Sequence, residues 1–323
     1  MIRVLKAVAL AVAAAVLAPG AASAEEHYAL VVTGAPGGEQ FRTNYQTWEQ
    51  QLTTALRDKL GFAPDHIDLL SGASDDPDRA STRLHVQRAI ERLKARLRPN
   101  DLLLLVLMGH GTLDGGVAKF NLPGPDLSSV EWGTLLRDLP GRLVVVDTTG
   151  ASYPFLADLS ARGHIVITAT DSAAQRYDTV FPTQFLTALT DPSADLDKNG
   201  RVSVWELFSY TSRAVARHYE QQGLLPTERA LLDDNGDGLG VDAASPPSTD
   251  GALARATYLE RDRVEASGDA EMAALIARRH ALEERAEQLR QKKSTMAPEA
   301  WEREFEQLMI ELARVSHRIR TGS

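Results

Sequence analysis

The sequence predicts an α/β fold, a mostly parallel sheet with helices on both faces, followed by a C-terminal α-helical hairpin. Three observations predict it. Five short apolar runs alternate with helical patterns. One of these runs, Leu102–Met108 (LLLLVLM), is apolar at every position, as a strand covered on both faces must be. Beyond the Pro- and Ser-containing stretch at residues 243–251 (AASPPSTDG), the pattern becomes wholly helical. An α+β arrangement of the same elements is the alternative.

The first element is an export signal. Residues 1–24 carry Arg3 and Lys6 and no acid; Ala7–Leu17 is an apolar run; Pro19 and Gly20 break it; and Ala22-Ser23-Ala24 forms a small-x-small cleavage site before Glu25. This pattern places the mature chain in the periplasm or outside the cell. An uncleaved anchor is the alternative, for which the run is short against the ~20 residues a bilayer requires. No other segment approaches that length, so the mature chain is expected to have no membrane span. No cysteine follows the apolar run, which excludes a cysteine-linked lipid.

Tyr28–Thr33 reads as the first strand, with an amphipathic helix around Tyr45–Leu60 after it. His66–Leu70 is the second, followed by a helix over Ser81–Leu97 with apolar positions at Leu84, Ala89, Ile90, Leu93 and Leu97. Leu102–Met108 is the third, followed by a short helix near Ser128–Leu136. Arg142–Val146 and His164–Thr168 are the fourth and fifth, with a helix near Pro154–Ala161 between them. The α/β body then covers residues 25–242, residues 243–251 read as a linker, and residues 252–323 form a separate helical unit. In that unit Trp301, Phe305, Leu308, Leu312, Val315 and Ile319 are spaced 4-3-4-3-4, an a/d seam. Leu275, Leu282, Ala286 and Leu289 make a second seam, interrupted at Arg279. A hairpin closing on itself is the expectation; docking on the body, or self-association through 252–323, are the alternatives.

Composition narrows the chemistry. The 323 residues hold 35 Lys+Arg against 44 Asp+Glu, a formal charge of −9. Without residues 1–24 the balance is 33 against 44, or −11, and since residues 252–323 hold 13 of each sign, all of the excess lies on residues 25–251. Such a surface repels phosphate backbones, so no nucleic-acid partner is expected. The absence of cysteine excludes disulfides, thiolate-held metals and a cysteine nucleophile.

In parallel sheets ligands bind beyond the carboxyl ends of the strands. Two such ends carry polar residues: Gly109-His110-Gly111 after the third strand, and Asp147-Thr148-Thr149-Gly150-Ala151-Ser152 after the fourth. A strand ending in Gly-His-Gly, then a strand ending in Asp-x-Cys, is the signature of the caspase/legumain-like (clan CD) cysteine peptidases, whose histidine and cysteine come from neighbouring strand ends. Residues 28–242 resemble a bacterial legumain-type member of that family, with five strands in the same order and spacing. The resemblance implies a caspase-like sheet and a peptide-binding cleft. It makes His110 the catalytic base and residue 149 the nucleophile position. It puts Arg42, eight residues after Gly34, in the pocket for the side chain before the cut bond, makes Asp147 a further pocket residue, and places the strand Ile165–Thr170, running into Asp171 and Ser172, on the pocket's other side, with Thr170 and Ser172 as its pocket residues.

The chain departs from the family at the nucleophile, where Thr149 stands in place of cysteine. A thiol with a pKa near 8.5 yields useful thiolate beside a histidine. A threonine hydroxyl does not ionise near neutral pH, and needs a base in hydrogen-bond contact plus a group that orients the base. Thr149 is also β-branched and less able to aim its hydroxyl. Ser152 is a second candidate hydroxyl, three residues on at a helix start, where N-capping is the alternative role.

Asp195–Glu206 (DLDKNGRVSVWE) fits the twelve-residue EF-hand loop. Asp195, Asp197 and Asn199 occupy positions 1, 3 and 5, and Gly200 the turn. Arg201 offers its carbonyl at 7, Ser203 stands at 9, and Glu206 is the bidentate ligand at 12. The cofactor implied is Ca2+, with an acidic helix cap as the alternative. A second stretch repeats Asp-x-Asn-x-Asp-Gly with Asp233, Asn235 and Asp237, but Ala244 falls where the bidentate ligand belongs, so a weaker second site is expected, with an Asx-rich turn as the alternative. The combined expectation is an exported, calcium-binding, non-catalytic peptidase-like protein that binds a peptide or protein ligand. Two alternatives stand beside it: an active hydrolase using Thr149 or Ser152 with His110, and a calcium-stabilised structural protein acting through its C-terminal helices.

Overall fold

The computed structural model describes residues 25–173, 175, 177–245, 250–261, 270–292 and 296–321; the predicted export signal lies outside the described residues. In chain order the strands are β1 (His27–Thr33), β2 (Ile67–Leu70), β3 (Leu102–Met108), β4 (Gly111–Asp114), β5 (Val117–Phe120), β6 (Leu127–Ser128), β7 (Arg142–Asp147), β8 (His164–Thr168) and β9 (Leu231–Asp233). The helices are α1 (Glu39–Asp58), α2 (Arg83–Arg96), α3 (Ser129–Leu136), α4 (Tyr153–Leu159), α5 (Phe181–Ala188), α6 (Val204–Gln221), α7 (Ala252–Arg255), α8 (Ala270–Gln291) and α9 (Pro298–Thr321).

The protein is an α/β structure built on a six-stranded sheet in the order β2-β1-β3-β7-β8-β9. Five strands run parallel, and β9 pairs antiparallel with β8. β3 is central and fully buried along its length, which is why every position in it is apolar. Alternation in the strands sends Ala29, Val31, Leu104, Val106 and Val144 to one face, under α1, α5 and α6. Leu30, Val32, Leu103, Leu105 and Val145 go to the other, under α2, α3 and α4. Each fully buried Leu or Val contributes roughly 1.5–3 kcal/mol of transfer free energy, so the two apolar layers dominate stability.

Helix starts are fixed locally. Ser128 with Glu131, and Ser203 with Glu206, form capping boxes at α3 and α6, and the Thr82 hydroxyl accepts from the His85 amide at α2. The start of α5 is capped from afar: buried Glu228 accepts from the Val180 amide (2.8 Å), the Phe181 amide (3.1 Å) and the Tyr219 hydroxyl (2.8 Å). Burial pushes the Glu228 carboxyl up from its ordinary value.

Three features depart from the sequence expectation. A second, three-stranded antiparallel sheet, β4-β5-β6, follows His110 directly. Its first turn, Gly115-Gly116, has φ of 58° and 84°, the left-handed pair that a two-residue hairpin requires. The sheet also gains the antiparallel edge β9. The body, finally, extends past the predicted linker through Arg261. Ala254 and Leu259 are buried in the same apolar layer as α1 and α6, Val204 donates its amide to the Thr257 carbonyl (2.8 Å), and Ser203 bridges to Tyr258. Within residues 243–251, Asp250 is buried, and Asp234 caps α7 by accepting from the Gly251 and Ala254 amides, both at 2.7 Å.

The hairpin itself is α8 and α9. Leu275, Leu282, Ala286 and Leu289 pack against Leu308, Leu312 and Val315 in an apolar cluster separate from the two that cover the sheet, with Trp301, Phe305 and Ile319 partly buried at its margin. The a/d seam is thus occupied within the chain. The Trp301 indole donates to the Leu289 carbonyl (2.7 Å) and closes the hairpin's turn end. Among the described residues no helix is long and apolar enough to cross a membrane.

Candidate functional site

β3 and β7 are hydrogen-bonded neighbours, so the loops that leave their carboxyl ends lie side by side and bring Gly109-His110-Gly111 against Thr148–Ser152. The contact is tight. A Cβ on Gly111 would fall 2.8 Å from the Thr149 hydroxyl oxygen and 2.9 Å from the Ala151 methyl, so only glycine fits after His110. Gly109 has φ of 159°, and a Cβ there would fall 3.0 Å from the Gly34 amide nitrogen at the end of β1.

The His110 ring rests on an aromatic shelf from α1. Phe41 meets it edge-on with centroids 4.4 Å apart, and Tyr45, one turn later, lies at 6.0 Å. Glu49, a further turn on, accepts a 2.5 Å hydrogen bond from the Thr33 hydroxyl and pins α1 to the end of β1. His110 Nδ1 is 3.1 Å from Asp178 Oδ1, and Nε2 is 3.3 Å from the Pro36 carbonyl oxygen. Both nitrogens therefore face acceptors, and a neutral imidazole can satisfy only one of them. Burial, and then the nearby Asp178 carboxylate, push the Tyr45 phenol up from its ordinary value.

Neither candidate hydroxyl is hydrogen-bonded to His110 among the described residues. Thr149 is 1 % exposed, and its hydroxyl has no hydrogen-bond partner. Ser152 is fully buried; its hydroxyl pairs with the Thr170 hydroxyl at 3.0 Å and accepts from the Thr170 amide at 3.2 Å. Ser152 does precede α4, yet it makes no side-chain cap. The alternative capping role is not what the structure shows: the Ser152 hydroxyl instead ties the β7 loop to the loop after β8.

The expected pocket residues divide. Asp147 is wholly buried and accepts from the Thr149 amide at 2.9 Å, while its second oxygen has no partner. Burial pushes its carboxyl up to about 7, against the opposing pull of the Thr149 amide. Thr170 is buried and bonds to the Gly150 carbonyl (3.2 Å). Arg42 is partly exposed and donates to the Ala73 carbonyl (2.8 Å), with Glu39 at 3.7 Å. Ser172 is exposed.

The acidic loop adopts a wound turn in which backbone amides converge on its side-chain oxygens. Asp195 accepts from the Asn199 and Gly200 amides (3.1 and 2.9 Å), Asp197 from the Asn199 amide (3.0 Å), and Asn199 from the Arg201 amide (2.8 Å). Lys198 and Gly200 take positive φ of 62° and 91° to make the turn. Ser203, at position 9, is the N-cap of α6, and Glu206, at position 12, folds back so that one oxygen accepts from the Leu196 and Asp197 amides (2.9 and 3.1 Å). Carboxylate oxygens of Asp195, Asp197 and Glu206 lie within 4.8 Å of one another, near enough to share one cation.

The second acidic loop also closes on itself. Asp233 accepts from the Asn235, Gly236 and Gly238 amides, and Asn235 from the Asp237 amide. Asp250 joins Asp233 and Asp237 with carboxylate oxygens within 4.8 Å, where the sequence register pointed to Ala244. Burial, then repulsion from Asp233, Asp234 and Asp237, push the Asp250 carboxyl up to about 6. Sequence spacing could not reveal Asp250 or Asp178, because each reaches its site from a different loop.

No family model matches the chain, and no curated protein matches it. Among solved structures it is similar to protein GSU0716 from Geobacter sulfurreducens, at 15 % identity over 64 % of this chain and 92 % of that one, with a TM-score of 0.43. That likeness carries no functional information.

Proposed function

We propose that this chain is an exported, calcium-stabilised protein with a caspase/legumain-like body whose cleft grips a peptide without cutting it. The observation that carries the reading is that no hydrogen bond joins base to nucleophile among the described residues: His110 is engaged by Pro36 and Asp178, while the Thr149 hydroxyl is buried without a hydrogen-bond partner. A hydroxyl nucleophile requires a base within hydrogen-bond reach to take its proton as it attacks. The family resemblance is supported by the pairing of β3 with β7, which sets the His110 and Thr149 loops at adjacent strand ends. Calcium is supported by the twelve-residue register of Asp195–Glu206 and the convergence of its three carboxylates.

Bound peptide would lie along the two loops, with the Phe41–Tyr45 shelf and the His110 ring as an apolar and polar floor. The test is a fluorogenic peptide library presented to the purified mature chain, with His110→Ala as control. No turnover, together with saturable binding of a peptide that His110→Ala weakens, is the expected result. Turnover abolished by His110→Ala overturns the reading. One observation favours an active hydrolase as a second reading, namely the Asp178 carboxylate behind the imidazole at 3.1 Å. That reading needs the ring to leave Pro36 and turn to Thr149.

A further inference from the structure

We infer that the Asp195–Glu206 loop is a cation-operated latch for the α8–α9 hairpin, closed when the loop holds calcium; the inference rests on the calcium reading above. Among the described residues the hairpin carries its own apolar cluster, distinct from the two layers on the sheet, and no shared cluster joins it to the body. Its connection runs through the loop. Arg201, at position 7, sends its guanidinium 3.9 Å above the centre of the Tyr258 ring, donates to the Glu260 carbonyl (3.2 Å), and stands 3.9 Å from Glu283 on α8. Glu283 lies 3.5 Å from Arg279, the residue that interrupts the α8 seam. The side chains of Arg201, Glu283 and Arg279 are only 11 %, 12 % and 7 % exposed, so this charged chain is set inside the junction. A cavity of about 280 Å³ lies alongside, walled by Asp197, Trp205 and Glu206 on the loop side and by Ala286, Met309 and Leu312 on the hairpin side.

The direction of coupling follows from the charges. With the loop empty of cation, three carboxylates crowd within 4.8 Å and repel one another, which loosens the turn that carries Arg201. A divalent cation removes that repulsion, and at position 7 it also holds the Arg201 backbone through its carbonyl. Arg201 is then fixed at one end by the loop and committed at the other to Glu283. Calcium closes the junction and chelation loosens it.

The test measures calcium binding by calorimetry and amide hydrogen exchange of α8 and α9 on the same protein, residues 25–323, in calcium and in chelator. Expected are binding of calcium and exchange of the hairpin amides slowed by ~10-fold in calcium. Glu283→Gln is expected to bind calcium with unchanged affinity while its hairpin exchanges in calcium at the chelator rate. Arg201→Met, which keeps the backbone carbonyl and leaves the hairpin sequence untouched, is expected to do the same, and it decides the matter should Glu283→Gln lose helix content. Calcium binding with no change in hairpin exchange overturns the latch and leaves the calcium reading standing. Absence of calcium binding overturns both.

Discussion

Asp147 and Thr149 share one buried corner at the end of β7: the Thr149 amide donates to one Asp147 oxygen at 2.9 Å, while the other Asp147 oxygen and the Thr149 hydroxyl have no hydrogen-bond partner. In the family that the sequence resembles, this corner belongs to the nucleophile. Here it is sealed by Gly111 and Ala151, and its carboxyl is held against ionisation by burial.

The first prediction concerns pH. The Asp147 carboxyl rises from an ordinary 3.8 to about 7 in the folded protein, so the folded state holds that proton more tightly than the unfolded chain does. Its contribution is therefore most favourable below about pH 4, is lost as pH rises from there to about 7, and is constant above that. Asp147→Asn should flatten this slope and stabilise the protein at pH 8 by a few kcal/mol, read from chemical denaturation at pH 5 and pH 8. An unchanged slope would show that Asp147 is ionised in the fold.

The second concerns sulfur. Because the chain has no cysteine, Thr149→Cys creates a single thiol. At 1 % exposure, and with His110 engaged elsewhere, that thiol should stay inert. Native alkylation by iodoacetamide, followed by intact mass, should reach no more than ~10 % of the extent seen in denaturant. Peptidase activity should not appear. Rapid native alkylation would show an open and activated site.

Calcium should raise the melting temperature. At a calcium concentration 100 times the dissociation constant, linkage contributes about 2.7 kcal/mol, which is several degrees for a body of this size. Asp195→Asn combined with Glu206→Gln should remove most of that shift while keeping the capping box at α6, since Gln can replace Glu there. Scanning calorimetry in calcium and in chelator reads both.

Domain boundaries give a fourth prediction. Ala254 and Leu259 lie in the body's apolar layer, so truncation after Arg261 should leave the body folded, whereas truncation after Gly251 should destabilise it by several kcal/mol. Leu308→Ala, in the hairpin's separate cluster, should weaken α8–α9 protection and leave the body's melting unchanged.

What was legible in the sequence was local. The unbroken apolar β3 announced a central strand, and the capping pair Ser203–Glu206 and the ligand spacing of Asp195–Glu206 lie within twelve residues of each other. The Gly-His-Gly turn was readable because steric crowding leaves no other choice beside Thr149. What escaped acts across sequence distance. Asp178 meets His110 from the loop after β8, Asp250 meets Asp233 from within the supposed linker, and Glu228 caps α5 from after α6. Strands β4 to β6 escaped because runs of two to four residues carry too little alternation, although the Gly115-Gly116 pair marked their turn.

The claim that the cleft holds but does not cleave is tested most directly by intact-mass analysis of the mature chain after incubation with an activated ester and with a fluorogenic peptide. The account predicts an unmodified mass in both. An acyl group found on Thr149 or Ser152, and absent from His110→Ala, would contradict it.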